Sequence, residues 1–164
     1  SSRLLADLKK KKIHTLIETC GFFQWEEFKR MLLPHLDAVY FDLKLIDDAD
    51  HRRYCGVSNA GILANFEKLS SLPAAGKVTV LPRTPLVPGI TDTDENIAGI
   101  ARYLEKHGIK KAALLSYNPL WYEKSGKIGA RNLLADRAET AKWMDRERID
   151  RCRAIFAEHG IDAG

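Results

Sequence analysis

The feature that most constrains the fold is an alternation of short apolar segments with longer segments of helical periodicity. Apolar runs typical of strands occupy residues 13–17, 38–43, 78–81 and 111–116, and the first of these strands is expected to be buried. The segments between them repeat apolar residues three and four positions apart and end at proline or glycine. Alternating strands and helices form a parallel sheet with right-handed crossovers. The sequence therefore predicts an α/β fold with about four parallel strands and flanking helices.

The glycine-rich phosphate motifs of dinucleotide-binding and P-loop folds do not occur in the sequence. This favours a barrel-like arrangement over a Rossmann fold, and four strands make only part of a barrel. We expect a single domain over residues 1–164, with a surface loop at 119–135 and a C-terminal helix over about 145–159. Three prolines within residues 82–88 predict a stiff extended loop after the third strand, because proline interrupts both helices and strand ladders.

Composition narrows the class of protein. The 164 residues are 45% hydrophobic, which suits a globular domain with a real core. The net charge is +4, but the basic residues of 131–153 alternate with acidic ones, which is typical of a solvated helix face and not of a nucleic-acid interface. There is no apolar run of membrane-spanning length and no signal peptide, so we expect a cytoplasmic protein that binds neither membrane nor nucleic acid.

Two features of the sequence concern cysteine and methionine. The three cysteines, Cys20, Cys55 and Cys152, are widely scattered and have neither disulfide-framework nor zinc-ligand spacing. We expect them to be reduced packing residues. The first methionine is Met31, so we do not expect Ser1 to be a natural translation start. We therefore expect the chain to be processed or to be a portion of something larger.

Polar side chains follow the end of each predicted strand. They are Glu18 and Thr19, then Asp42 and Lys44, then Arg83, and finally Ser116 and Asn118. Because the carboxyl ends of parallel strands meet at one rim, these side chains are expected to converge there. Carboxylate and hydroxyl oxygens suit a cation or an ammonium group, whereas Arg83 and Lys44 suit a carboxylate or a phosphate. The rim is therefore expected to favour a zwitterionic or acidic small molecule.

Two other functions are open from the residues alone. Lys44 at a strand end is a candidate Schiff-base lysine of an aldolase, with Asp42 as its proton-transfer partner. Against this, the adjacent Asp42 carboxylate favours the charged ammonium group, whereas a Schiff base forms from the neutral amine. The second alternative is a non-catalytic interaction module, because an incomplete barrel exposes a sheet edge that can self-associate.

Five segments carry a resemblance to a known family. In order they are HTLIETCGFF, VYFDLKLIDD, HRRYCGVSNAGILANFEKL, PRTPLVPGITDT and LLSYNPL. Their order and spacing resemble the radical SAM family, and within it the glycyl-radical-enzyme activating group typified by pyruvate formate-lyase activating enzyme. The resemblance runs from about Ile13 to Gly160, nearly the whole chain.

The resemblance implies a fold and an activity. The fold is a partial TIM-like (β/α)6 barrel, of which this chain would supply the third to sixth strands. The family belongs to anaerobic metabolism, and its 4Fe-4S cluster binds S-adenosylmethionine and cleaves it reductively. The deoxyadenosyl radical that results takes a hydrogen atom from a backbone glycine of a partner enzyme. The implied partners are a pyruvate formate-lyase-like glycyl-radical enzyme and a reductant such as flavodoxin or ferredoxin.

The resemblance also assigns roles to individual residues. The positions that match cofactor-binding residues of the family are Asp42, Lys44, Arg83 and Asn118. The positions that match a monovalent-cation site beside the cofactor are Glu18, Thr19, the carbonyl of Tyr40, and Asp42. Two of these positions depart from the family pattern, since Glu18 replaces the more usual aspartate and Asn118 stands where many members have histidine.

The family's cluster motif, Cys-x3-Cys-x2-Cys, is absent from this sequence, as is its Gly-Gly-Glu segment. Both lie upstream in the family. We therefore expect the chain to be the C-terminal portion of an activating enzyme, with neither catalytic residues nor iron–sulfur ligands of its own. Such a portion is expected to be inactive alone.

Overall fold

The computed structural model describes residues 2–72, 78–120, 127, 129 and 137–164. They form two compact units, Ser1–Arg83 and Thr84–Gly164. Each unit contains helices and parallel strands, which confirms the predicted α/β class. The assignment of residues 1–164 to one domain stays a prediction. Most of the loop predicted at 119–135 lies outside the described residues.

The first unit contains three parallel strands, and β2 lies between the other two. Its helices and strands follow in chain order as α1 (Ser2–Lys10), β1 (Leu16–Thr19), α2 (Trp25–Met31), a 3-10 turn (Leu33–His35), β2 (Ala38–Asp42), α3 (Asp48–Cys55), α4 (Ala60–Ser70) and β3 (Thr79–Pro85). Strand β3 ends two residues beyond the boundary of the unit.

The second unit pairs a strand with the C-terminal residues of the chain. Its described elements are α5 (Asp94–Lys106), β4 (Lys111–Leu115), a 3-10 turn (Ala138–Ala141), α6 (Arg146–Glu158) and β5 (Asp162–Ala163). Strand β5, which was not predicted, pairs with β4 in parallel. Among the described helices, none is long and apolar enough to cross a membrane.

The core of the first unit lies on one face of β2. Val39 and Phe41 alternate with more accessible residues and are fully buried. The ring of Phe41 contacts that of Phe66 on α4 edge to face, with centroids 5.2 Å apart. Successive side chains of a strand point to opposite faces, so Tyr40 and Asp42 lie on the face of β2 that points away from this core.

The first strand differs from its prediction. The sequence predicted a buried strand over residues 13–17, but β1 covers Leu16–Thr19. Ile13 is 45% exposed and Leu16 is 36% exposed. The expectation of burial was wrong. An apolar run does not reveal that a strand lies at the edge of a sheet, and among the described strands β1 pairs only with β2.

The third strand also differs from its prediction. The prolines of residues 82–88 were expected to prevent a regular ladder, but β3 continues through Pro82 to Pro85. Pro82 lies opposite Phe41, and the carbonyl of Arg83 accepts a hydrogen bond from the Leu43 amide at 2.8 Å. Proline removes only its own donor, and alternate residues of a strand direct their hydrogen bonds to opposite sides, so the ladder tolerates it here.

Candidate functional site

The register of the first unit's sheet determines which polar residues meet. Glu18 lies opposite Tyr40, and Asp42 lies opposite Arg83. Side chains two residues apart in a strand share a face, so Tyr40 and Asp42 lie on the face away from the Phe41 core. Glu18, Asp42 and Arg83 therefore lie together near the carboxyl ends of three adjacent strands, on the same face as Tyr40.

Arg83 is the centre of this cluster. Its Nη1 and Nη2 donate to the two carboxylate oxygens of Glu18 at 2.8 and 3.0 Å. Its Nε and Nη2 donate to Oδ1 of Asp42 at 3.0 and 2.9 Å. The guanidinium carbon lies 5.1 Å from the centre of the Tyr40 ring. Since Arg83 is only 8% exposed, these contacts supply the partners that a buried guanidinium needs.

The ion pairs change the acid–base properties of both partners. Hydrogen bonding to Arg83, and then the charge of Arg83, lower the pKa of Glu18 below its ordinary value. Hydrogen bonding to Glu18 raises the pKa of Arg83, and burial opposes that rise. Both shifts favour the charged forms, so the Glu18–Arg83 contact is a true ion pair at neutral pH.

Lys44 extends the cluster beyond the strand. Its Nζ lies 3.9 Å from Oδ2 of Asp42, the oxygen that Arg83 does not bind. Asp42 thus has a cation near each carboxylate oxygen. The predicted Asp42–Lys44 pair is therefore present in the structure.

The loop after β1 is held in place from two sides. The hydroxyl of Thr19 accepts a hydrogen bond from the Gly21 amide at 3.0 Å. On α4, the buried Asn65 donates from Nδ2 to the carbonyls of Gly21 and Phe23 at 2.9 and 2.8 Å. Sequence reasoning did not single out Asn65. A polar residue at a core position of the α4 periodicity was the only available signal.

Asn118 belongs to the second unit, shortly after β4. Its Oδ1 accepts a hydrogen bond from the Leu120 amide at 2.9 Å, which closes a local turn. Its assignment to the cofactor site remains a prediction.

The cysteines do not form a cluster site. Cys20 and Cys55 are exposed and Cys152 is buried, and all three are free thiols. Within the described ranges, no group of three or more His, Cys, Asp or Glu side chains is arranged to hold a metal ion. The described residues therefore do not fit a 4Fe-4S cluster.

A second network, which the sequence did not predict, lies in the second unit between α6 and the loop after β3. Arg148 Nη1 donates to Oδ1 of Asp94 at 2.7 Å, and Arg148 Nη2 donates to the carbonyl of Asp92. Arg151 Nη2 donates to the other carboxylate oxygen of Asp94 at 2.9 Å. These contacts join α6 to the first turn of α5, and hydrogen bonding to Arg148 is the main cause of the lowered pKa of Asp94.

Comparisons with characterised proteins identify clear relatives, although no family model matches the chain. It is 33% identical to the isethionate sulfite-lyase activating enzyme of Nitratidesulfovibrio vulgaris over 94% of its length and 48% of the relative's. It is 38% identical to the (2S)-3-sulfopropanediol sulfolyase activating enzyme of Bilophila wadsworthia, over 89% of this chain and 47% of that one. The 4-hydroxyphenylacetate decarboxylase activating enzyme of Clostridioides difficile is 28% identical, over 91% and 45%.

The chain thus spans about half the length of the curated relatives it matches. Among solved structures, a domain of pyruvate-formate lyase-activating enzyme from Bacteroides vulgatus superposes with a TM-score of 0.74 at 19% identity, over 99% of this chain and 87% of that one. A radical SAM methyltransferase from Sphaerobacter thermophilus superposes with a TM-score of 0.60 at 18% identity, over 94% and 41%. At these identities, the structural likeness shows the fold.

Proposed function

Since the homologues of this chain are glycyl-radical-enzyme activating enzymes, we propose that the whole protein binds S-adenosylmethionine and generates a glycyl radical on a partner enzyme. The observation that carries the proposal is the charged cluster at the strand ends. It gains its meaning from the homologues of the chain. A 4Fe-4S cluster, when bound elsewhere in the protein, would supply the electron that cleaves the cofactor.

The charges of the site suit the methionine part of that cofactor. Lys44 offers a charged donor to a carboxylate, the nearby Arg83 adds positive charge, and Asp42 offers an acceptor to an ammonium group. Asp42 is about one-fifth exposed and Lys44 one-third, so a ligand can reach both. We assign Asp42, Lys44 and Arg83 to the amino-acid end of the cofactor, and Asn118 to its adenosine end on the basis of the family resemblance.

Equilibrium binding of S-adenosylmethionine to the whole protein tests this assignment. We expect Asp42→Asn and Arg83→Lys each to weaken affinity by about tenfold or more, because each breaks a partly buried charge contact. Arg52→Lys is the matched control, since Arg52 pairs with Asp48 on an exposed helix face at 2.7 Å. Unchanged affinity in both site variants, with a native circular dichroism spectrum, would remove these residues from the site.

For partners, we propose a glycyl-radical enzyme, with pyruvate formate-lyase-like enzymes as one class, and a one-electron donor of the flavodoxin or ferredoxin type. The names of the relatives point to several such enzymes. Supplying each candidate enzyme to the reduced whole protein, and measuring which one acquires a radical, distinguishes among them. We further propose that the chain without the remainder of the protein is inactive and that the protein is cytoplasmic.

The exposed apolar residues of the first unit favour a second property of the isolated chain, which is self-association at the β1 edge. Leu4 and Phe22 are 64% and 66% exposed. Leu16, the first residue of β1, and Ile13, which precedes the strand, are also exposed. An accessible strand edge beside apolar side chains tends to pair with another strand. Light scattering over a concentration series is expected to show a dimer that Leu16→Lys dissociates. The control is Trp143→Lys, which changes an exposed apolar residue of the second unit and should leave the dimer intact. A monomer at every concentration contradicts it.

A further inference from the structure

The Glu18–Asp42 pair already has a cation between its carboxylates. Arg83 donates to both oxygens of Glu18 and to Oδ1 of Asp42, all at 2.8–3.0 Å. These are the two carboxylates that the family resemblance assigns to a monovalent-cation site. A metal ion bound by the same oxygens would have to displace the guanidinium or lie directly beside its positive charge.

The charges of the cluster are balanced without a metal ion. Glu18 and Asp42 contribute two negative charges, and Arg83 and Lys44 contribute two positive charges. Of the two other oxygen ligands that the resemblance implies, the Tyr40 carbonyl and the Thr19 hydroxyl, the hydroxyl accepts a hydrogen bond from the Gly21 amide. The negative charge of the two carboxylates is therefore already neutralised, and an additional cation is not needed to balance it.

We infer that the guanidinium of Arg83 serves as the resident cation of the Glu18–Asp42 pair, so that these two carboxylates bind neither sodium nor potassium. The inference concerns the chain's own side chains and does not depend on the proposed binding of S-adenosylmethionine.

The length of Glu18 explains how this arrangement arises. Glutamate is one methylene longer than the aspartate usual at this position, which extends its reach by about 1.5 Å. Although Glu18 is 61% exposed, both of its oxygens are bound to Arg83, which lies two strands away across Tyr40. An aspartate at this position would leave the bidentate contact incomplete and its carboxylate available to a metal ion.

Sodium-23 relaxation and thermal unfolding in sodium, potassium or choline chloride at constant ionic strength test the inference. We expect the wild-type chain to unfold at the same temperature in all three salts and to show no saturable sodium broadening that potassium displaces. Arg83→Gln is expected to gain both responses, because Glu18 and Asp42 then lose their cation. Glu18→Asp is expected to gain them more weakly.

Arg52→Gln is the matched control, since it frees Asp48 from an exposed ion pair and should create no such site. Saturable, potassium-competed sodium binding to the wild type that Asp42→Asn abolishes would overturn the inference. A folded Arg83→Gln chain without sodium binding would also overturn it, because the carboxylates would then form no cation site at all. If Arg83→Gln does not fold, the wild-type and Glu18→Asp measurements decide the question.

Discussion

A Cβ atom placed on Gly21 would lie 2.1 Å from Cζ of Phe41, well inside van der Waals contact. Gly21 also has φ +79°, a conformation that glycine adopts without strain. The buried Phe41 ring therefore packs against the backbone of the loop that follows β1. The position of the candidate site depends on this contact, because Glu18 lies three residues before Gly21 in the same segment.

We expect Gly21→Ala to lower the free energy of unfolding by about 2–4 kcal/mol, since it combines backbone strain of about 1 kcal/mol with overpacking against Phe41. Gly56→Ala is the matched control, because Gly56 has φ +78° but no atom within 4 Å of the added Cβ. Denaturant unfolding should therefore show only the strain of about 1 kcal/mol for Gly56→Ala. Equal losses in the two variants would contradict the contact with Phe41.

Asn65 gives a second prediction for the same loop. Asn65→Asp keeps the size of the side chain but removes the amide that donates to Gly21 and Phe23. It also places a carboxylate next to two carbonyls in a buried position. We expect a loss of about 2–4 kcal/mol in denaturant unfolding. Asn65→Ala, which leaves the carbonyls without this donor but adds no charge, should lose less, and the reverse order would contradict the assigned hydrogen bonds.

The network of Arg148 predicts a contrast between two arginines of α6. Arg148→Lys retains the charge but cannot reach both Asp92 and Asp94 with a planar fork, so we expect a loss of about 1–2 kcal/mol. Arg146→Lys should be nearly neutral, because the side chain of Arg146 is 92% exposed and 3.7 Å from Asp150. Chemical denaturation measures both, and equal effects would show that the Arg148 contacts do not stabilise the fold.

Asp48 predicts a dependence of stability on pH. A hydrogen bond from Ser58, followed by one from Arg52, lowers its pKa from 3.8 to about 2. Because the pKa of Asp48 is lower in the folded state, its carboxylate stabilises the fold at pH values above the ordinary pKa of 3.8. This contribution is lost as the pH falls from 3.8 to about 2. The stability difference between wild type and Asp48→Asn should therefore shrink over that interval. A constant difference in acid titrations followed by circular dichroism would contradict the shift.

The sequence predicted the parts of the fold that depend on local pattern. Alternating segments gave the strand and helix order, and the register then brought Asp42 and Arg83 together at the strand ends. The Arg83 bridge to Glu18 was not predicted, because it spans two strands and depends on side-chain length. Asn59 is the N-cap residue of α4, but its side chain does not cap the helix and donates to the carbonyls of Leu45 and Ile46. Such long-range choices leave no periodic signal in a sequence.

The most direct test of the proposed function is electron paramagnetic resonance of a glycyl-radical enzyme mixed anaerobically with the reduced whole protein and S-adenosylmethionine. We expect a protein-based glycyl radical signal with formation of 5′-deoxyadenosine, and a loss of both in the Asp42→Asn variant. Cofactor cleavage by the wild type with no radical on any glycyl-radical enzyme supplied would contradict the activating role. The absence of both cleavage and radical formation would contradict the proposal as a whole.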